Sequence, residues 1–133
     1  MYNAKILVVD DSPTMRQFIV FALQRLPGLE IMQAGDGVSA LKQLSSEKYD
    51  LLLTDINMPM MDGLKLVSLI RNDPNYYQLP IVMITTEGSE ITREKALKMG
   101  ATEYITKPLQ TTRLVDVVRQ LLNPEKRPDE PAS

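Results

Sequence analysis

Three short apolar runs and two more mixed strand-like segments alternate with five stretches of helical periodicity along this chain. Lys5 to Asp10 reads Lys-Ile-Leu-Val-Val-Asp, Leu51 to Asp55 reads Leu-Leu-Leu-Thr-Asp, and Pro80 to Thr85 reads Pro-Ile-Val-Met-Ile-Thr. Runs with no polar alternation suit strands buried on both faces. Leu29 to Ala34 and Thr102 to Thr106 complete the predicted strands. The helical stretches carry Met15, Phe18, Ile19, Ala22, Leu23 and Leu26, then Val38, Leu41 and Leu44, then Leu64, Val67, Leu69 and Ile70. Ile91, Ala96, Leu97 and Met99 follow. The last helix, Gln110 to Leu122, places its leucines and valines on an arc of roughly 160° at about 100° per residue. Plain core packing is the commoner use of such a stripe. Val115 and Val117, at its edges, are the candidates for exposure to a partner.

Turn chemistry separates these elements. Ser12-Pro13 supplies a cap and a first-turn proline, and Pro27-Gly28 ends that helix. Asp36 or Gly37 caps the second helix. Pro59 to Gly63 is a loop, because proline donates no amide proton to a ladder, and Gly63 is expected at a positive φ. The third helix ends near Asp73-Pro74, Ser89 caps the fourth, Gly100 closes it, and Lys107-Pro108 breaks the last strand. Alternating strands and helices predict an α/β fold: a doubly wound, five-stranded parallel sheet with helices on both faces. Residues 1–123 form one domain. Pro124 to Ser133 has three prolines, five charges and no large apolar side chain, so a disordered tail is expected, with no output domain after it.

Composition narrows the function. The chain has 133 residues, 44% hydrophobic and 24% charged, with a net charge of −2, ordinary for one soluble domain. No basic block points to nucleic acid, and no apolar stretch reaches the roughly 18 residues that span a bilayer. No signal peptide is evident, so the cytoplasm is the expected compartment. Cysteine and histidine are both absent. That removes disulfides, thiolate and imidazole metal sites, and Ser-His or Cys-His dyads. Chemistry must run on carboxylates, hydroxyls, lysine and a hard cation.

Ligands of open parallel sheets bind beyond the carboxyl ends of the strands. Those ends carry Asp10 and Asp11, Asp55, Thr85 and Thr86, and Lys107. Gathered together, the three carboxylates repel one another unless some protonate or a cation sits among them. Oxygen-only ligation suits Mg²⁺. An aspartate can attack phosphorus, and phosphoryl transfer needs little beyond alignment and charge neutralisation. Lys107 and Mg²⁺ can supply the charge, and the Thr85 hydroxyl can donate to a phosphoryl oxygen.

Each residue taken alone has a plainer use. Asp10 and Asp11 suit helix caps, Lys107 a solvated charge, Tyr104 a half-buried strand-end aromatic and Glu87 a surface acid. Asp62 reads as a turn residue or the cap of the third helix and is left out of the site. Met58, Met60 and Met61 more often pack a loop than meet a partner.

Four motifs in order alter the balance. Val8-Val9-Asp10-Asp11-Ser12, Thr54 to Gly63, Thr85-Thr86-Glu87 and Tyr104-Ile105-Thr106-Lys107-Pro108 resemble those of bacterial two-component response-regulator receiver domains, the chemotaxis regulators in particular. The resemblance spans about Lys5 to Leu122. It implies a flavodoxin-like strand order of 2-1-3-4-5 and Asp55 as phosphoacceptor. It implies Mg²⁺ held by Asp11, Asp55 and the Asn57 backbone carbonyl, with Asp10 acting through water. Lys107 would bind the phosphoryl group. Thr85 and Tyr104 would act as switch residues. Asn57 and Glu87 would tune dephosphorylation, and the Lys107-Pro108 bond would be cis. The implied partners are a chemotaxis-type histidine kinase and a separate target, such as a flagellar motor switch, with the domain a monomer. No turnover enzyme is implied.

Other functions remain in view. A phosphorelay intermediate would pass its phosphoryl group to a histidine phosphotransfer protein. An aspartyl phosphatase places two acids two residues apart after its first strand, whereas Asp10 and Asp11 are adjacent and Asn57 stands two beyond Asp55. A flavin binder needs glycine or hydroxyl groups at the first strand end, where Asp10-Asp11 would repel a phosphate.

Overall fold

A computed structural model describes residues 2–122. The domain boundary at 123 and the tail expected over 124–133 lie outside the described residues. The elements follow the expected alternation: β1 Ala4–Val9, α1 Pro13–Leu23, β2 Leu29–Ala34, α2 Gly37–Ser46, β3 Leu51–Thr54, α3 Gly63–Arg71, β4 Ile81–Thr85, α4 Glu90–Met99, β5 Glu103–Thr106 and α5 Thr111–Leu122. The strands form one parallel sheet in the order β2-β1-β3-β4-β5. The chain leaves β1 for β2 on one side and returns to β3 on the other, so the order reverses between β1 and β3.

The period of two along each strand divides the core into halves. Ile6, Val8, Leu51, Leu53, Val82 and Ile84 pack with Ile19, Leu23, Leu114 and Val118 beneath α1 and α5. Leu7, Val9, Leu52, Ile81 and Met83 face Leu44, Leu66, Ile70 and Ala96 beneath α2, α3 and α4. Both faces are covered, which explains strands that read as unbroken apolar runs. Caps set the helix starts: Ser12, Asp36, Asp62 and Ser89 each accept a hydrogen bond from the backbone amide three residues on.

Several expected details differ. Val115 and Val117, the candidates for exposure, are both buried, as the commoner core reading has it, while Leu121 and Leu122 pack partly buried against the same cluster. Phe18, Val38 and Ile91 are exposed despite their helical spacing. Ile91 lies in α4, which buries only Ala96 fully and so presents a wide face to solvent. Gly63 is not at positive φ; in that loop Met60 is, at 67°. Glycine is required at 63 because a Cβ would stand 2.1 Å from the Asp55 carbonyl oxygen and 2.9 Å from Ile56 Cα. Met58 is buried and Met61 packs on the core, while Met60 is 89% exposed.

Candidate functional site

Register places the first two acids. Val9 pairs with Thr54 at the carboxyl ends of β1 and β3. The Asp55 amide donates to the Val9 carbonyl at 3.1 Å, extending the ladder one residue past the strand. The Asp10 amide donates likewise to Ala34 at 3.2 Å, and the Lys107 amide to Thr85 at 2.8 Å. Asp10, Asp55 and Lys107 are therefore held by sheet hydrogen bonding before any side chain makes contact.

The side chains then converge. Lys107 Nζ lies 3.3 Å from Asp10 Oδ2 and 3.2 Å from Asp55 Oδ2. Asp10 Oδ1 accepts from the Ser12 amide at 2.9 Å, and Asp55 Oδ1 from the Asn57 amide at 3.3 Å. Asp10 and Asp55 are buried, and Asp11 is exposed at the mouth. One carboxylate oxygen from each of Asp10, Asp11 and Asp55 lies within 4.8 Å of the others. Asp11 has no hydrogen-bond or ion-pair partner among the described residues, so its carboxylate is available for a ligand.

The electrostatics follow from two buried acids sharing one amine, with a third acid beside them. Burial lifts the Asp10 carboxyl above its ordinary range, and the Asp55 charge adds to this, against the Ser12 amide and Lys107. Burial alone would lower the Lys107 ammonium, but Asp10 and Asp55 outweigh it and raise it, so Lys107 is charged at neutral pH. One ammonium leaves the cluster with excess negative charge. The donor set is oxygen only and anionic, which fits a hard divalent cation such as Mg²⁺.

Two further residues meet in the β4–α4 loop. Thr85 is fully buried, and its hydroxyl oxygen accepts from the Glu87 amide at 3.2 Å. The Tyr104 ring is buried, and its hydroxyl donates to the Glu87 carbonyl. Thr85 and Tyr104 thus hold opposite ends of one residue. Burial, with the nearby charges of Glu87 and Asp55, raises the Tyr104 phenol, which stays a neutral donor. The Lys107-Pro108 peptide bond is cis. Thr86 is exposed and outside the cluster.

A cleft of about 760 Å³ lies at the opposite, amino end of the sheet, lined by Tyr49, Tyr76 and Asp73 among others. It contains none of the strand-end groups.

The profile of the response regulator receiver domain matches residues 6–119. This chain belongs to that family. The receiver domain is 46% identical over 105 residues to chemotaxis protein CheY1 of Helicobacter pylori, covering 78% of this chain and 85% of that protein. It superposes on chemotaxis response regulator CheY4 of Vibrio cholerae with a TM-score of 0.82 at 35% identity, over 89% of this chain and 98% of that one. It also resembles the receiver domain of sensor histidine kinase PA1611 from Pseudomonas aeruginosa, solved with a magnesium ion in its active-site cleft (TM-score 0.81, 28% identity, 90% and 97% coverage). Among the described residues, no helix is long and apolar enough to cross a membrane.

Arg16 was not apparent from the sequence as part of this site. Its guanidinium folds back from α1 to the carbonyl of Asp10. A long side chain reaching a neighbouring backbone leaves no periodic signal.

Proposed function

We propose that this receiver domain is a chemotaxis-type signalling switch that accepts a phosphoryl group on Asp55. The observation that carries the reading is the placement of Asp55. It is buried, fixed by the sheet, 3.2 Å from the Lys107 ammonium and grouped with Asp10 and Asp11. Likeness to the CheY proteins of Helicobacter and Vibrio supports the chemotaxis role.

Asp11, Asp55 and the Asn57 carbonyl would hold Mg²⁺, with Asp10 acting through water. Both Asp10 oxygens already accept hydrogen bonds, from Ser12 and Lys107, which suits an indirect role. The bound cation supplies positive charge to the phosphoryl oxygens. An Asp55 carboxylate oxygen attacks phosphorus, an O–P bond forms, and the N–P bond of a kinase phosphohistidine breaks. The electron pair of that bond stays on the imidazole. Lys107 neutralises the oxygens of the new acyl phosphate. Attack by water later returns inorganic phosphate and the free carboxylate, with Asn57 and Glu87 flanking the path. The domain is a switch with self-catalysed chemistry, not a turnover enzyme.

The signal leaves through Glu87. A Thr85 hydroxyl drawn toward a phosphoryl oxygen releases or drags the Glu87 amide, and the Glu87 carbonyl holds Tyr104. The buried Tyr104 is then free to change rotamer on the α4–β5–α5 surface. A separate target, such as a flagellar motor component, would read that surface. Activation-dependent capture tests this reading: beryllofluoride with Mg²⁺ should create target binding in the wild type and none in Asp55→Asn. Binding that ignores beryllofluoride would remove the switch.

A further inference from the structure

The β1–α1 loop carries two of the three clustered acids, yet one of them, Asp11, has no side-chain partner of its own among the described residues. The peptide between Asp10 and Asp11 is held from outside the loop. Arg16 Nη1 donates to the Asp10 carbonyl oxygen at 2.7 Å, and Arg16 Nε donates to Gln33 Oε1 at 3.0 Å. A Cβ at Gly35 would stand 3.5 Å from the same guanidinium. Arg16 thereby links the first turn of α1 to the end of β2, with the Asp10-Asp11 peptide plane clamped between them. Fixing that carbonyl fixes the direction in which the Asp11 carboxylate leaves the chain.

We propose that Arg16 is a positioning residue for the divalent-cation site, presetting Asp11 beside Asp55 through the Asp10 carbonyl. The inference rests on the reading of Asp10, Asp11 and Asp55 as that site. Without the clamp, repulsion among three carboxylates turns the exposed Asp11 toward water, and the cation must pay to bring it back. Positioning and simple charge predict opposite signs. Arg16 is a cation near a cation site, so if it acted only through its charge, its removal would tighten Mg²⁺ binding. If it acts by orientation, its removal weakens binding.

The measurement is an Mg²⁺ titration of the isotope-labelled, unphosphorylated protein, following the amide resonances of Asp11 and Asn57. Arg16→Ala should raise the dissociation constant by about tenfold or more. Arg16→Lys, which keeps the charge but lacks the two separate nitrogens that reach Asp10 and Gln33, should fall between. Gln33→Leu leaves Arg16 intact but unties it from β2, and should weaken binding by a smaller factor. This variant keeps the test decisive if Arg16→Ala folds poorly. Unchanged or tighter Mg²⁺ binding in Arg16→Ala or Gln33→Leu overturns the proposal. A wild type without saturable shifts at these amides would overturn the cation site itself, a separate failure.

Discussion

Lys107 Nζ stands 3.2 Å from Asp55 Oδ2 although 52 residues separate them in the chain. The contact joins the ends of β3 and β5, strands that are not neighbours, across the end of β4. No local preference brings these groups together. The sheet does, and it sets the ammonium where it would feel any charge added at Asp55.

Lys107→Ala should fold and still be labelled on Asp55, but bind its target poorly. It should lose roughly 1–3 kcal/mol of stability, since two buried carboxylates keep no cation, and Mg²⁺ should restore part of that loss. The folded-state pKa of Lys107 is raised from 10.5. Its stabilisation is complete below that value and is lost as the pH rises through the folded value. The stability gap between wild type and variant, read by denaturant melts, should therefore be steady near neutrality and close in strong alkali. Normal target binding by the variant would count against the sensor role.

Asp10→Asn should stabilise the domain at neutral pH. The Asp10 pKa is raised from 3.8, chiefly by burial, so folding favours its protonated form. Stability from this group is present below 3.8 and lost as the pH rises through the folded value. The amide keeps an acceptor for the Ser12 N–H and removes one charge from the cluster. A gain of roughly 1 kcal/mol, or about 4 °C in melting temperature, is expected at pH 7, with no gain well below pH 3.8. Mg²⁺ affinity should fall in the same variant. A melting temperature lower than wild type at neutral pH would contradict this account.

Gly63→Ala should be severe and Gly88→Ala mild. At position 63 the new methyl group meets the Asp55 carbonyl oxygen at 2.1 Å, backbone that cannot yield without moving Asp55. At position 88 the nearest atom is Thr106 Cγ2 at 3.7 Å, an ordinary contact. A loss of about 3 kcal/mol or more is expected for the first and under about 1 for the second, by denaturant midpoint. Comparable midpoints would show that the β3–α3 loop has slack.

Strand ends were legible because burial on both faces writes strands as apolar runs, and the first polar residue after each run marks its exit. Asp10 and Thr85 are found this way, Asp55 one residue further on, and Lys107 from the proline that breaks the last strand. Burial within helices was less so. Phe18 and Ile91 have core spacing but face solvent, because period alone does not say how much of a helix its neighbours cover. Val115 and Val117, at the edges of the α5 stripe, follow the commoner core reading, since α5 packs against both the sheet and α1. Gly63 signalled a constraint correctly and its kind wrongly: close backbone approach and positive φ both select glycine. The Arg16 clamp joins a side chain to a carbonyl on another element, a contact that only coordinates reveal.

The central claim is that Asp55 accepts the phosphoryl group, and intact mass tests it most directly. Wild-type protein and Asp55→Asn are each incubated with a small-molecule phosphodonor and Mg²⁺. The account predicts one added phosphoryl group on the wild type, none on Asp55→Asn, and none on either when EDTA removes the cation. Equal labelling of the two proteins would contradict it.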